Sequence, residues 1–139
     1  MRIEARLLSL ALQRASLLRM FPDTQAQIRR SQLVWLGQVT PSALSATYTL
    51  RLHYRLKKRP CVYVVEPELE CRGKKRPPHI YKDMALCLYL PWDNEWGGHM
   101  YLSETVLPWA SEWLVHYEAW LYIGEWQGRG VHLPRNQRK

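Results

Sequence analysis

The first apolar pattern in the chain has a helical period. From Ile3 to Met20, the residues Ile3, Leu7, Leu10, Ala11, Leu17 and Leu18 fall on one broad face, with Arg2, Arg6, Ser9, Gln13 and Ser16 opposite. The spacing predicts an amphipathic helix that packs on another element. Phe21-Pro22-Asp23-Thr24 ends it, since proline disfavours helix for the residue before it. The period then drops to two. Leu33 to Val39 reads as a strand and Thr40 to Ser45 as a turn. Ala46 to Leu56 alternates, placing Tyr48, Leu50, Leu52, Tyr54 and Leu56 on one face and Thr47, Thr49, Arg51, His53 and Arg55 on the other. That is the pattern of an antiparallel strand buried on one side. Cys61 to Val65, bounded by Pro60 and Pro67, predicts a third strand.

A basic, proline-bearing loop runs through Arg76, and an irregular stretch follows, "PPHIYKDMALCLYLPWDNEWGG" from Pro77 to Gly98. Ser103 and Glu104 then offer N-terminal capping chemistry, and Pro108 suits a first helical turn. Trp109, Trp113, Tyr117, Trp120 and Leu121 recur at helical spacing, which reads most simply as a packing stripe, and Gly124 permits a left-handed C-cap. The order is helix, three-stranded antiparallel meander, long irregular region, helix. It predicts an α+β fold, with helix packed on sheet, in a single domain over 1–139.

Composition narrows the classes. A chain of 139 residues is long enough to bury a core, and 47% apolar residues with 7 Trp and 8 Tyr exclude disorder. The net charge of +8 fits an acidic partner, a nucleic acid or simple solubility. The basic residues are dispersed and the aromatics sit at core spacing, so no nucleic-acid partner is expected, although basic grooves with aromatic platforms do bind single strands. No segment approaches the roughly 20 apolar residues of a membrane span. Arg6 and Arg14 interrupt the first apolar segment, which does not read as a signal peptide. Three cysteines without a C-x-x-C pair or a histidine at ligand spacing argue against a disulfide framework or a zinc site, and suit a reducing cytoplasm. Phosphate-cradling glycine loops and H-E-x-x-H are missing, so the chain shows no means to adenylate a carboxylate or run metal hydrolysis. No cofactor and no metal are expected.

The chemistry that remains is that of a thiol. A thiolate accepts an acyl group from another thioester in a nearly balanced exchange and keeps it activated. Cys87 lies in a loop between prolines, outside any periodic strand, where reachable residues concentrate. Free cysteine is also among the most buried residue types, and this packing role is the reading for Cys61 and Cys71. His79 is a candidate oxyanion donor or loop brace through one imidazole N–H. Asp83 could hold or deprotonate an incoming amine, or serve as a turn residue. Tyr81 packs or reaches the active loop with its hydroxyl, and His99 and His132 are candidates for the rim. Trp126, in the glycine-rich "GEWQGRG", must pack against a neighbour or a partner.

In order of elements the chain resembles the ubiquitin-conjugating (E2) family. "PPHIY" stands at the position of that family's His-Pro-Asn-Ile motif and "LCL" at its active cysteine, with His79 eight residues before Cys87, as the family's asparagine is. Trp92 or Trp96 stands where the family often has a tryptophan shortly after the cysteine. The later run "PWASEWLVHYEAWLYIGEWQGRGVH" is similar to E2-like proteins encoded beside cGAS-like nucleotidyltransferases in bacterial CBASS antiphage operons. The resemblance implies a ubiquitin-conjugating (UBC-like) fold and an active-site loop of Pro77, Pro78, Tyr81, Asp83, Trp92 and Trp96 around catalytic Cys87 and His79. It further implies a thioester between Cys87 and the C-terminus of the nucleotidyltransferase or another ubiquitin-like protein, with an E1-like activating protein as a possible second partner. Pro77 replaces the motif's histidine and His79 its asparagine, which keeps a second reading open: a non-catalytic scaffold that grips the nucleotidyltransferase.

Overall fold

The computed structural model describes residues 6–89 and 95–128. Its elements, in chain order, are α1 (Leu10–Met20), β1 (Gln25–Arg29), β2 (Gln32–Val39), β3 (Tyr48–Tyr54), β4 (Cys61–Glu66) and α2 (Val106–Ile123). The fold class is α+β, as the periodicity predicts. The strands form one antiparallel sheet in the order β1-β2-β3-β4.

The sheet has four strands where the pattern predicts three. β1 was hidden because only Ala26 of Gln25–Arg29 is buried, so no alternation marks it. Its hairpin to β2 turns on Arg30 and Ser31, both at positive φ (51° and 60°), the geometry that two-residue hairpins favour and that Asn-Gly usually signals. Arg-Ser carries no such signal. The other strands follow their sequence. β3 buries Tyr48, Leu50, Leu52 and Tyr54 on one face, and pairing Trp35 with Leu52 and Leu52 with Val62 continues the apolar surface across three strands. β3 stops at Tyr54, so Leu56, expected on the buried face, is exposed. Trp35 is fully buried beside Gly37, where an added Cβ would lie 2.5 Å from the indole ring, so the close approach requires glycine.

The first helix begins at Leu10, well after Ile3, which lies outside the described residues. Ser9 sets the boundary. Its hydroxyl accepts the Leu12 N–H at 3.1 Å, while the Leu8 N–H leaves the helical ladder for the Gly98 carbonyl at 2.9 Å. Its buried face also differs from the expected one: Leu7 and Ala11 are exposed, and Gln13 is buried beside Leu17. The Gln13 amide donates to the Met100 carbonyl at 2.8 Å and accepts the Leu102 N–H at 2.9 Å, satisfying two backbone groups of the segment before α2. Ser103, expected to cap, is buried instead in a hydroxyl pair with Ser16. Thr105 holds the N-cap position without a side-chain cap, and Gly124 (φ 93°) closes α2 by donating its N–H to the Trp120 carbonyl.

One apolar cluster joins Leu17 of α1, the buried sheet face, Ile80 and Leu86, and Leu114, Tyr117 and Trp120 of α2. Glu118 adds polar ties from α2 to the start of β3, accepting the Tyr48 hydroxyl at 2.8 Å and the Ser45 hydroxyl at 2.6 Å. None of the helices is long and apolar enough to cross a membrane, among the described residues.

Gln13→Leu strands the Leu102 N–H in the core and the Met100 carbonyl beside it, and is expected to cost about 2–4 kcal/mol in urea unfolding. An unchanged midpoint would show that the amide bonds are dispensable.

Candidate active site

Residues 79–87 form a tight two-legged loop. The Tyr81 N–H bonds the Ala85 carbonyl at 2.8 Å, and the Cys87 N–H bonds the His79 carbonyl at 3.0 Å, so Ile80 and Leu86 face each other as an isolated antiparallel pair. Both are buried and anchor the legs in the core. Asp83 shapes the tip: its carboxylate accepts the Ala85 N–H at 3.1 Å and the Tyr63 hydroxyl at 2.9 Å. The Leu86 N–H donates to the Val62 carbonyl at 2.9 Å, which fixes the loop to β4. His79 sits at φ 55°, a conformation that histidine, asparagine and aspartate tolerate better than most residues.

A single acceptor ties this loop to α2. The His79 carbonyl takes the Cys87 N–H at 3.0 Å and the Trp113 indole N–H at 2.9 Å. Cys87 and His79 thereby line an open groove of about 460 Å³, with Leu88 and Glu95 beside them. Trp109, Glu112, Trp113 and His116, one face of α2, supply its other wall. Trp126, from the segment after the Gly124 cap, closes one end. Its ring lies 5.1 Å from that of His79, 5.3 Å from Trp113 and 5.9 Å from His116. The His116 Nε2 stands 3.6 Å from the Glu112 carboxylate.

The Cys87 sulfur is half-buried and faces the Tyr89 carbonyl at 3.7 Å. Burial pushes its thiol up from the ordinary range, opposed by the Tyr81 hydroxyl on the sulfur and by the Arg59 charge. The resting group at neutral pH is therefore a thiol, and any nucleophilic use of the sulfur must first remove its proton. Tyr81 is itself pushed up to about 12, chiefly by burial, so it stays protonated and can donate to sulfur. The Arg59 guanidinium lies 3.8 Å from the Tyr81 ring centroid, which brings a cation to this side of the sulfur.

The loop residues singled out in sequence divide into groups. His79 and Cys87 share the groove, and Tyr81 supports the sulfur from behind. Asp83 is engaged in the turn and Pro77 is buried; neither lines the groove, nor does the half-buried Pro78. Trp96 lies on a second cleft with Tyr54, Tyr89 and Lys57 to Arg59, and its indole N–H donates to the Thr105 hydroxyl at 3.0 Å. Trp92 and His132 fall outside the described residues, and His99 is exposed away from the groove. Cys61 is half-buried near Arg59; Cys71, read as a packing residue, is exposed instead. Glu95, Glu112 and His116 were missed. The signal was present for two of them, since Glu112 and His116 share the helical spacing of Trp109 and Trp113. Among the described residues no three His, Cys, Asp or Glu side chains converge closely enough to hold a metal ion.

Helices on a four-stranded antiparallel sheet, presenting one cysteine in an open groove, define an α+β protein with a thiol site. The family model described as type II CBASS E2 protein matches residues 13–133, which contain the whole groove. The chain belongs to that family, the E2-like proteins of CBASS antiviral defence. No curated protein matches the sequence.

Tyr81→Phe removes a hydroxyl that holds the Cys87 thiol down, so the pH profile of Cys87 alkylation is expected to move further up, measured by iodoacetamide labelling and intact mass. A profile that stays in place or moves down would contradict this role for Tyr81.

Proposed function

We propose that Cys87 forms a thioester with the C-terminus of a cGAS-like nucleotidyltransferase, or of another ubiquitin-like protein, and passes that acyl group to an amine or to water, and so tunes CBASS signalling against phage. Membership of the type II CBASS E2 family supports the setting and the E2-like class. On this reading the chain has the UBC-like fold and works in the bacterial cytoplasm. The observation that carries it is the place of Cys87, at the groove and neither sealed in the core nor free on the surface. An extended C-terminal tail, narrow when it ends in small residues, can reach such a sulfur.

Loading is an exchange. The Cys87 sulfur attacks the carbonyl carbon of a carrier thioester; a new C–S bond forms, the carrier's C–S bond breaks, and the thiol proton goes to the departing sulfur. The tail must arrive already activated, and an E1-like protein is the partner that would supply it. His79 braces the loop through its carbonyl, and as a residue of the groove it is the candidate donor to an oxyanion formed there.

The test is co-expression with the nucleotidyltransferase and its activating protein, followed by a non-reducing gel. Wild type is expected to give a band of combined mass that thiol reductant removes; Cys87→Ser is expected to give a reductant-resistant ester, and Cys87→Ala none. A complex that persists equally in all three, without any covalent band, would leave only the scaffold reading.

A further inference from the structure

The described lining of the groove differs in charged residues from the chain as a whole. The sequence carries a net charge of +8, yet the described residues lining the groove include two carboxylates, Glu95 and Glu112, and neither lysine nor arginine. The cations gather on the second cleft, where Lys57, Lys58 and Arg59 line a volume of about 290 Å³. The Tyr89 ring stands between the two, 6.4 Å from Trp96 on the basic side and 6.0 Å from Trp109 on the acidic side. A negatively lined groove with aromatic walls suits a cationic occupant, through Coulomb attraction and contact of a cation with ring faces.

We infer that this groove is the channel by which a primary amine reaches the Cys87 thioester, and that His116, held by Glu112, accepts the proton the amine must lose. The inference rests on the thioester reading of Cys87 and assigns residues to its second step. His116 is one helical turn beyond Glu112, with Nε2 3.6 Å from the carboxylate, and both line the groove that holds Cys87. Its ring is fixed from the far side by Trp126, which also touches His79. Gly128 packs so closely there that an added Cβ would lie 2.8 Å from the imidazole. A ring confined in this way needs little further ordering to take up a proton.

The step balances as an aminolysis. The amine nitrogen attacks the thioester carbonyl carbon, the C–N bond forms, and the C–S bond breaks to release Cys87 as thiolate. The surplus proton on nitrogen passes to His116, and the thiolate regains a proton from solvent. Neutral imidazole accepts a proton and imidazolium cannot, so the step requires the unprotonated ring. Among the described residues, the titratable groups that line the groove with it are Glu112 on its own helix, Glu95, and His79 and Cys87 from the loop.

The experiment loads the full chain with a glycine-ended peptide thioester of mercaptoethanesulfonate, which needs no activating protein, then adds lysine amide and follows the loaded mass with time. Rate constants for discharge are taken on the loaded fraction from pH 6 to pH 9. The expected result is that His116→Asn slows discharge on the order of hundredfold at the alkaline end and little at the acid end, so the ratio to wild type grows with pH. Glu112→Gln is expected to give a smaller loss of the same shape, and carries the test should His116→Asn fail to fold. Loading of wild type with discharge by the variants at wild-type rates throughout would overturn the inference while leaving the thioester intact. A wild-type chain that does not load at Cys87 would overturn both.

Discussion

The site depends on one carbonyl oxygen. The His79 C=O accepts the N–H of Cys87 and the indole N–H of Trp113, and in doing so it joins a short loop to the longest helix of the protein. The first bond closes the open end of the loop, whose tip is held by the Tyr81–Ala85 bond; the second adds a polar tie to the apolar contacts that seat the loop on α2. A carbonyl has two lone pairs, and using both here links Cys87, the wall of the groove and the backbone of His79. The positive φ at His79 is the local cost of aiming that oxygen, on the order of 1–3 kcal/mol, which the buried Ile80 and Leu86 on either leg readily offset.

The same logic of shared backbone partners holds the rest. Gln13 satisfies two main-chain groups of the segment before α2 from inside α1, so the two helices are connected through a polar pair within an apolar core. Buried polar groups that are fully bonded specify one arrangement more sharply than apolar contacts alone. Below the sulfur, Arg59, Tyr81 and Tyr89 combine a cation, a protonated phenol and a carbonyl in a half-buried setting. Burial keeps the thiol protonated at rest, while the hydroxyl and the guanidinium stand ready to stabilise the thiolate once formed. On the proposed thioester reading this balance serves a carrier thiol well, since it is protected when idle and a leaving group when loaded.

Much of this was legible in the chain. The alternation of Tyr48 to Tyr54 and the aromatic period of α2 follow directly from side-chain geometry, and Gly124 marks its helix end as a residue without Cβ should. Strand β1 was not legible, because an edge strand with one buried residue and an Arg-Ser turn leaves neither period nor turn signature. Helix α1 misled for a related reason. Its leucines marked the buried face only in part: Leu17 is buried and Leu10 and Leu18 pack on the core, but Leu7 and Ala11 are exposed and Gln13 takes an inward position, its amide finding two partners distant in sequence. Cys87 stood out by its surroundings. The groove around it did not, since Glu95, Glu112 and His116 belong to two segments that only tertiary packing brings together. Trp126 needed the turn after Gly124 to reach His79 and His116.

Amide hydrogen exchange at Cys87 in Trp113→Phe tests the linkage between loop and helix most directly, because phenylalanine keeps an aromatic ring and removes the donor to His79. Exchange at Cys87 roughly fivefold faster than in wild type, with the central amides of β2 and β3 unaltered, is the result expected for the loss of about 1 kcal/mol at one bond. Exchange at Cys87 equal to wild type would contradict it, and would mean that the loop holds the nucleophile without help from α2.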